Sequence, residues 1–399
     1  MKKPAKIFLA ILCCAIFLDP GILHAQKGRM KHLIDDNILF AVKQYKLLAQ
    51  NTPKDVMPRS FDAKKNVSIT SNTKWWTSGF YPGTLLYLYE YTKDPVILEE
   101  AKKRLAILEG EKHYTGHHDL GFMMYCSFGN AYRLLSNPEY KTTIDTSAAS
   151  LSTRYRPSIG AIQSWNSSKI YKCPVIIDNM MNLELLCWVS DNGGDRRYKE
   201  IAITHANTTL KNHFRPDYSS YHVIDYDTSS GQVLKKVTRQ GNADSSAWAR
   251  GQAWGLYGYT MMYRFTKDAK YLSQAKHIAQ FILNHPNLPS DKIPYWDFDA
   301  PGIPNANRDA SAGAIMASGL LELAQYVSKK QREQYVSTAQ KMLQTLSSNL
   351  YRAKPGTNGG FILQHSVGAI PSNSEVDVPL TYADYYFIEA LLRYRKWYL

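Results

Sequence analysis

Two aspartates stand where a carboxylate can be made to work as an acid. Asp119, in "HHDLGFMMYCSFGNAY", and Asp178, in "IIDNMMN", each precede a helical stretch that is apolar or small on most faces. Aspartate at a helix start is most often a cap for free backbone N–H groups, and the helix dipole there lowers its pKa. A general acid at neutral pH needs the opposite, which burial or a second nearby carboxylate can supply. Two aspartates on neighbouring helices meet the second condition, and hydrolysis of a glycosidic bond ordinarily uses such a pair. Asp178 and Asp119 are therefore the candidate catalytic residues.

Other helix starts carry groups suited to a sugar. "WWTSGF" supplies Trp75 and Trp76, "HHD" supplies His118, "SSAWARGQAW" supplies Trp248, Arg250 and Trp254, and "NANRDAS" supplies Arg308 and Asp309. "LTYAD" adds Tyr382 and Asp384; Asp309 and Asp384 read as helix caps. Sugar rings stack on aromatics through their apolar faces and hydrogen-bond planar polar groups through their hydroxyls, so this mixture suits carbohydrate. Trp165 in "IGAIQSWN" and Trp296 in "IPYWDFD" fall in predicted loops, where an exposed indole favours binding.

The elements that must position these groups are helical. Periodicity predicts twelve helices, near 32–50, 77–92, 95–109, 119–136, 139–153, 178–190, 196–212, 246–265, 268–284, 309–327, 331–349 and 381–397. They alternate in kind. "DAKYLSQAKHIAQFIL" puts Tyr271, Leu272, Ala275, Ile278, Ala279 and Ile282 on one stripe and suits an outer position, whereas "ASAGAIMASGLLELAQYV" is apolar or small nearly all round and needs burial on every side. A weak repeat links the outer type, a first-turn tyrosine followed by alanine: Tyr140 with Ala148, Tyr198 with Ala202, Tyr271 with Ala275, Tyr335 with Ala339. Six such hairpins predict an all-α fold closed into an (α/α)6 barrel, whose inner helices all start on one rim. "HVIDYDTSSGQVLKKVT", 222–238, alternates with period two around Ser-Ser-Gly and predicts a β-hairpin that would lie as a lid over that rim. No Pro/Gly-rich linker divides the chain, so 26–399 is expected to be one catalytic domain.

Residues 1–25 differ in kind: Lys2, Lys3 and Lys6 precede "IFLAILCCAIFL", and "LHA" offers a small residue before Gln26. This pattern predicts a secretory signal peptide rather than a membrane anchor, because the run is shorter than the roughly 20 apolar residues of a spanning helix. Export to the periplasm is favoured over an extracellular destination or lipid attachment through Cys13 or Cys14, which lie inside the run. No later segment is apolar enough to span a membrane. Of five cysteines, Cys126, Cys173 and Cys187 lie beyond the leader, an odd number without metal-ligand spacing, so neither a disulfide scaffold nor zinc is expected. The net charge of +14, or +12 without Lys2, Lys3, Lys6 and Asp19, suits a polyanionic partner. No nucleic-acid motif accompanies it, which favours acidic polysaccharide. Nothing in the chain specifies an oligomeric state.

"WTSGFYPG", "HHDLGF", "GAIQSWN", "DNMMNLELL", "HVIDYD", "RQGNADSSAWARGQAWGLYG" and "ADYYFIEALLR" occur in that order. Together they resemble the unsaturated glucuronyl hydrolases, glycoside hydrolase family 88, over most of the chain. The resemblance implies an (α/α)6 barrel that removes the 4,5-unsaturated uronic acid left by polysaccharide lyases at a non-reducing end. It places the acid/base on Asp178 and its partner on Asp119, beside His118. It places sugar contacts on Trp76, Trp165, His222, Gln240, Trp248, Arg250 and Trp254, with Arg250 expected to bind the uronate carboxylate bidentately. Such a substrate is a cyclic vinyl ether, so a proton donor and water suffice, and no metal or organic cofactor is required. Members acting on sulfated chondroitin fragments carry Ser-x-x-Ser-x-Lys near the C-terminal end, whereas here Ser366 is followed three residues later by Ala369. That departure favours heparin or heparan fragments. Alternatives are an unsaturated rhamnogalacturonyl hydrolase on pectin fragments, an ordinary inverting glycosidase, and a non-catalytic glycan-binding protein of an exported uptake system. A binder has no need of the aspartate pair.

Overall fold

A computed structural model describes residues 20–399, with side chains from residue 27. The expected leader lies outside the described residues except for the backbone of 20–25, which belongs to the first helix. The helices are α1 (Pro20–Asn51), α2 (Phe80–Thr92), α3 (Pro95–Leu108), α4 (Asn130–Leu135), α5 (Pro138–Ser152) and α6 (Asn179–Asp191), then α7 (Arg197–Asn212), α8 (Ala249–Thr266), α9 (Ala269–Asn284), α10 (Ala310–Leu323), α11 (Lys329–Leu346) and α12 (Thr381–Tyr398). The even-numbered helices form a closed ring in which the wider-wound turns 121–129, leading into α4, make the contact with α6, and α12 returns to α2. The odd-numbered ones lie outside, and α1 packs on α12 and α2, so the two ends of the chain complete the sixth hairpin. This is the expected (α/α)6 barrel.

Local chemistry explains the hairpins. Three inner helices end on a left-handed residue, Lys93, Ser136 or Lys267. In each case the next residue caps the following outer helix with its side chain: Asp94 accepts from Val96 N–H, Asn137 from Glu139 N–H and Asp268 from Lys270 N–H. One residue stops a helix and its neighbour starts the next, which turns the chain back on itself. Outer helices such as α9 bury a single stripe, Tyr271, Ala275, Ile278, Ala279 and Ile282 among it, while every residue of α10 is buried. Glycines let inner helices approach closely: a Cβ on Gly121 would lie 2.4 Å from Asn182 Cα, and one on Gly258 would lie 2.5 Å from Met180 Cβ.

Two expectations are corrected. The stretch predicted as one α-helix over 119–136 winds as a π-helix from Gly121 to Gly129 before continuing as α4. The Ser127 hydroxyl donates to the carbonyls of Met123 and Met124, acceptors that a regular α-helical ladder would otherwise use. The predicted 222–238 hairpin belongs to a larger sheet. Four small antiparallel assemblies decorate the ring: β1 (Met57–Asp62) with β2 (Val67–Ser71), β3 (Tyr155–Arg156) with β4 (Ala161–Ile162), β5 (Pro174–Ile176) with β6 (Val223–Tyr226) and β7 (Val233–Val237), and β8 (Ser366–Ala369) with β9 (Ser374–Val378). Because β5 runs directly into Asp178, the predicted lid is stitched to the start of α6.

Candidate active site

Asp178 occupies the cap position of α6, yet its side chain makes no capping bond. It is 8 % exposed, and among the described residues its Oδ2 has no hydrogen-bond partner. His222 Nε2 faces it at 3.8 Å. Burial first, then the charge of Asp119, pushes its carboxyl up to about 7, against the pull of the Arg250 guanidinium and the Trp254 indole N–H. A helix start alone would have lowered it; desolvation wins here.

Asp119 is held in the opposite state. Its Oδ2 lies 3.0 Å from His117 Nδ1 and its Oδ1 3.3 Å from His118 Nε2. Burial pushes its carboxyl up, but His118 and His117 more than offset this and leave it below the ordinary value. His117 Nε2 donates to the Lys74 carbonyl at 3.0 Å, while its Nδ1 accepts from the Asp119 backbone N–H at 3.2 Å and also faces the Asp119 carboxylate, a contact that favours charge on the ring. Burial opposes that charge, and the hydrogen bond and charge of Asp119 outweigh it, raising the His117 pKa. The pair thus divides as an acid needs: one carboxyl protonated near neutrality, the other an anchored charge.

His222 is the neutral neighbour. Its Nδ1 accepts from the backbone N–H groups of Arg239 and Gln240, at 3.1 and 3.2 Å, which leaves the proton on Nε2 facing Asp178. Burial, helped by Arg250 and Arg239, holds it well below its ordinary pKa. Its ring packs on Trp248, with centroids 4.6 Å apart, and Trp248 in turn lies under the Arg250 guanidinium, at 4.5 Å.

The expected aromatics divide by exposure. Trp76 and Trp165 keep part of their rings open, whereas Trp248 and Trp254 are buried walls. Trp76 meets Phe122, at 5.6 Å, and Phe122 meets Trp254, at 5.1 Å, an aromatic run from the rim to the floor beneath Asp178. Trp296, expected to be exposed, is 4 % exposed and packed with Tyr295, Ala300 and Val367. Arg250, expected to bind the uronate carboxylate, is engaged with the protein itself. Its Nη1 reaches Asp309 and the Val367 carbonyl, its Nη2 donates to Gly368 O at 2.7 Å and faces Gln240 Oε1 at 3.4 Å, and only Nε is unpartnered. The fork is committed to tying α8 to β8. Asp309 is the cap predicted for it, accepting from Ser311 N–H. Asp384 is not: it accepts from the N–H groups of Ile362 and Leu363 and the Tyr45 hydroxyl, stapling a loop to α12.

His117 and Arg154 were not singled out from sequence. "HHD" signals both histidines equally, and only the fold shows that each takes one oxygen of Asp119. Arg154, on the loop after α5, donates to Gln163 O and Asn166 Oδ1 and so fixes the segment carrying Trp165. Among the described residues no cluster of histidine, cysteine, aspartate and glutamate is arranged to hold a metal ion. A cavity of about 940 Å³ opens at the other mouth of the barrel, where Arg133 pairs with Glu90, Arg264 with Glu184 and Arg393 with Glu389.

A ring of six helical hairpins with paired aspartates at the starts of adjacent inner helices defines a barrel glycoside hydrolase. The chain belongs to Glycosyl Hydrolase Family 88, whose pattern matches residues 51–387. It is 49 % identical over 338 residues to an unsaturated glucuronyl hydrolase of Formosa agariphila, covering 84 % of each chain. It is 35 % identical over 362 residues to an unsaturated chondroitin disaccharide hydrolase of Streptococcus pyogenes serotype M1, covering 89 % of this chain and 90 % of that one. The solved structure of an unsaturated glucuronyl hydrolase specific for heparin matches with a TM-score of 0.88 at 49 % identity, over 92 % of this chain and 97 % of the other.

Proposed function

We propose that this enzyme removes the 4,5-unsaturated uronic acid from the non-reducing end of lyase-generated glycosaminoglycan fragments, preferring heparin or heparan over chondroitin. The observation that carries the reading is Asp178: a buried carboxyl without a capping bond, held near pKa 7 beside a fixed Asp119 carboxylate. In the protonated state it donates to C4 of the vinyl ether, and positive charge develops at C5 and the ring oxygen. Water adds at C5 and returns a proton to the Asp178 carboxylate, which regenerates the acid. The resulting C5 hemiketal opens to a ketone, and the hemiacetal then left at C1 releases the adjoining sugar. Asp119 keeps a negative charge beside the site, which helps hold the proton on Asp178 and opposes a positive C5 centre with opposite charge. His222, a neutral donor at Nε2, is placed to orient the carboxyl or the incoming water.

Two points support the heparin preference: a 49 % identical structural neighbour is specific for heparin, and Ala369 departs from the Ser-x-x-Ser-x-Lys pattern that the family resemblance associates with chondroitin fragments. We further propose export with removal of residues 1–25, on the basic start and apolar run, leaving 26–399 as one catalytic domain. The deciding assay follows the ultraviolet absorbance of the unsaturated uronate on lyase products of heparin, chondroitin and pectin. Faster loss on heparin products is expected, and no loss on any of them would sink the hydrolase reading. N-terminal sequencing of secreted protein, expected to begin at Gln26, tests the leader.

A further inference from the structure

Beside the acid lies a strip of alternating aromatic and basic side chains that the hydration of the vinyl ether does not use. Arg239 lies over the Trp165 ring, 5.4 Å from its centroid. Trp165 meets Tyr171 edge to face at 5.7 Å, and Lys235 lies over Tyr171 at 4.3 Å. Arg239 is exposed, and among the described residues its guanidinium has no ion-pair or hydrogen-bond partner. The acids closest to the strip are otherwise engaged: Asp225 accepts from the N–H groups of Lys172 and Cys173, and Asp244 accepts from Thr238 N–H.

A free arginine on a basic protein is ordinary; the anchorage of this one is not. Its own N–H is bonded to His222 Nδ1, and the other nitrogen of that ring lies 3.8 Å from Asp178. Its aromatic platform is fixed from the other side, because Trp165 pairs through its backbone with His117, the residue that holds Asp119. The strip is therefore registered against both aspartates. A guanidinium lying over an indole, with no other partner, keeps N–H groups available for an oxyanion, which arginine can bind bidentately.

We propose that Arg239, with Lys235 beside it, forms an anion subsite at the mouth of the site that takes a sulfate ester on the sugar adjoining the unsaturated uronate. This rests on the hydrolase reading above and adds a source of selectivity separate from β8 and β9. An exposed charge-assisted pair is worth up to about fivefold in binding, and a bidentate one shielded by the bound sugar more.

The test compares Arg239→Gln with the unaltered enzyme on two unsaturated disaccharides of the same linkage, one sulfated on the reducing-end sugar and one not. The ratio of kcat/KM, sulfated over unsulfated, is expected to fall at least fivefold, with Arg239→Lys recovering part of it. A smaller fall, or an equal loss on both substrates, overturns the subsite. Because the ratio is taken within one variant, a partial folding defect cancels. Absence of turnover by the unaltered enzyme on either disaccharide, and on the other lyase products, would instead overturn the hydrolase reading itself.

Discussion

Replacing Asp178 by asparagine should remove activity and, at the same time, stabilise the protein in a way that grows with pH. The carboxyl sits at about 7 in the folded chain against an ordinary value of 3.8, chiefly because it is buried. That is roughly three pH units, or about 4 kcal/mol at about 1.36 kcal/mol per unit. The folded-state pKa is raised, so below about 3.8 both states hold the proton and the stability contribution is fully present. As pH rises toward 7 the unfolded chain has released a proton that the native state retains, and stability falls by about 1.4 kcal/mol per unit. Asparagine carries no such proton and escapes that slope. Asp384 is also raised to about 7 by burial, but it is common to both proteins and cancels in the difference. Urea unfolding of both proteins at about pH 4.5 and about pH 8 should show the advantage of Asp178→Asn growing by about 3 kcal/mol between them. Turnover should drop by a factor of about 100 to 10,000 at every pH. Parallel stability curves would refute the reasoning, since they would mean that the carboxyl is not perturbed by the fold, whatever happened to the rate.

The rate profile should report the remaining partners. Asp119→Asn removes the negative charge that raises Asp178, so the alkaline limb of kcat/KM should move to lower pH by about a unit, with a lower maximum; an unmoved limb would exclude coupling between the two aspartates. His117→Gln loses the imidazole facing Asp119 Oδ2, which lowers the Asp119 pKa, so the Asp119 carboxyl should titrate higher and the acid limb should move up in pH, while far-ultraviolet circular dichroism stays unchanged. Asp384→Ala leaves two buried N–H groups and the Tyr45 hydroxyl without an acceptor, a loss of about 2–5 kcal/mol that thermal unfolding at about pH 6 should detect. The Asp384 variant should keep the unaltered pH profile of kcat, which separates a staple from a catalyst.

Much of the barrel is legible in the pattern of apolar residues. A helix that is apolar all round, such as the one over 310–323, can only be interior, and one with a single stripe, such as 269–284, can lie outside; their alternation dictates a double ring. The corner signals were present too, in Lys-Asp-Pro, Ser-Asn-Pro and Lys-Asp, although their meaning depends on a left-handed residue that composition does not reveal. The π-helix and the third strand of the sheet escape such reading, because winding depends on which carbonyls the side chains and the neighbouring α6 satisfy, and β5 is only three residues long.

At the site, residue types and their place at helix starts were enough to select Asp119 and Asp178. Their division of labour was not readable, because Asp178, Asp309 and Asp384 occupy similar positions in sequence. Only in three dimensions does one cap its helix, one staple a loop and one remain unbonded. Arg250 looked free until its fork met carbonyls more than a hundred residues away. Trp296 looked exposed until Val367 covered it. Periodicity reflects what a segment must bury and is local, so the chain states it directly. A pKa, or the freedom of a guanidinium, depends on desolvation and on charges that arrive from distant segments, and closure of the ring sets both.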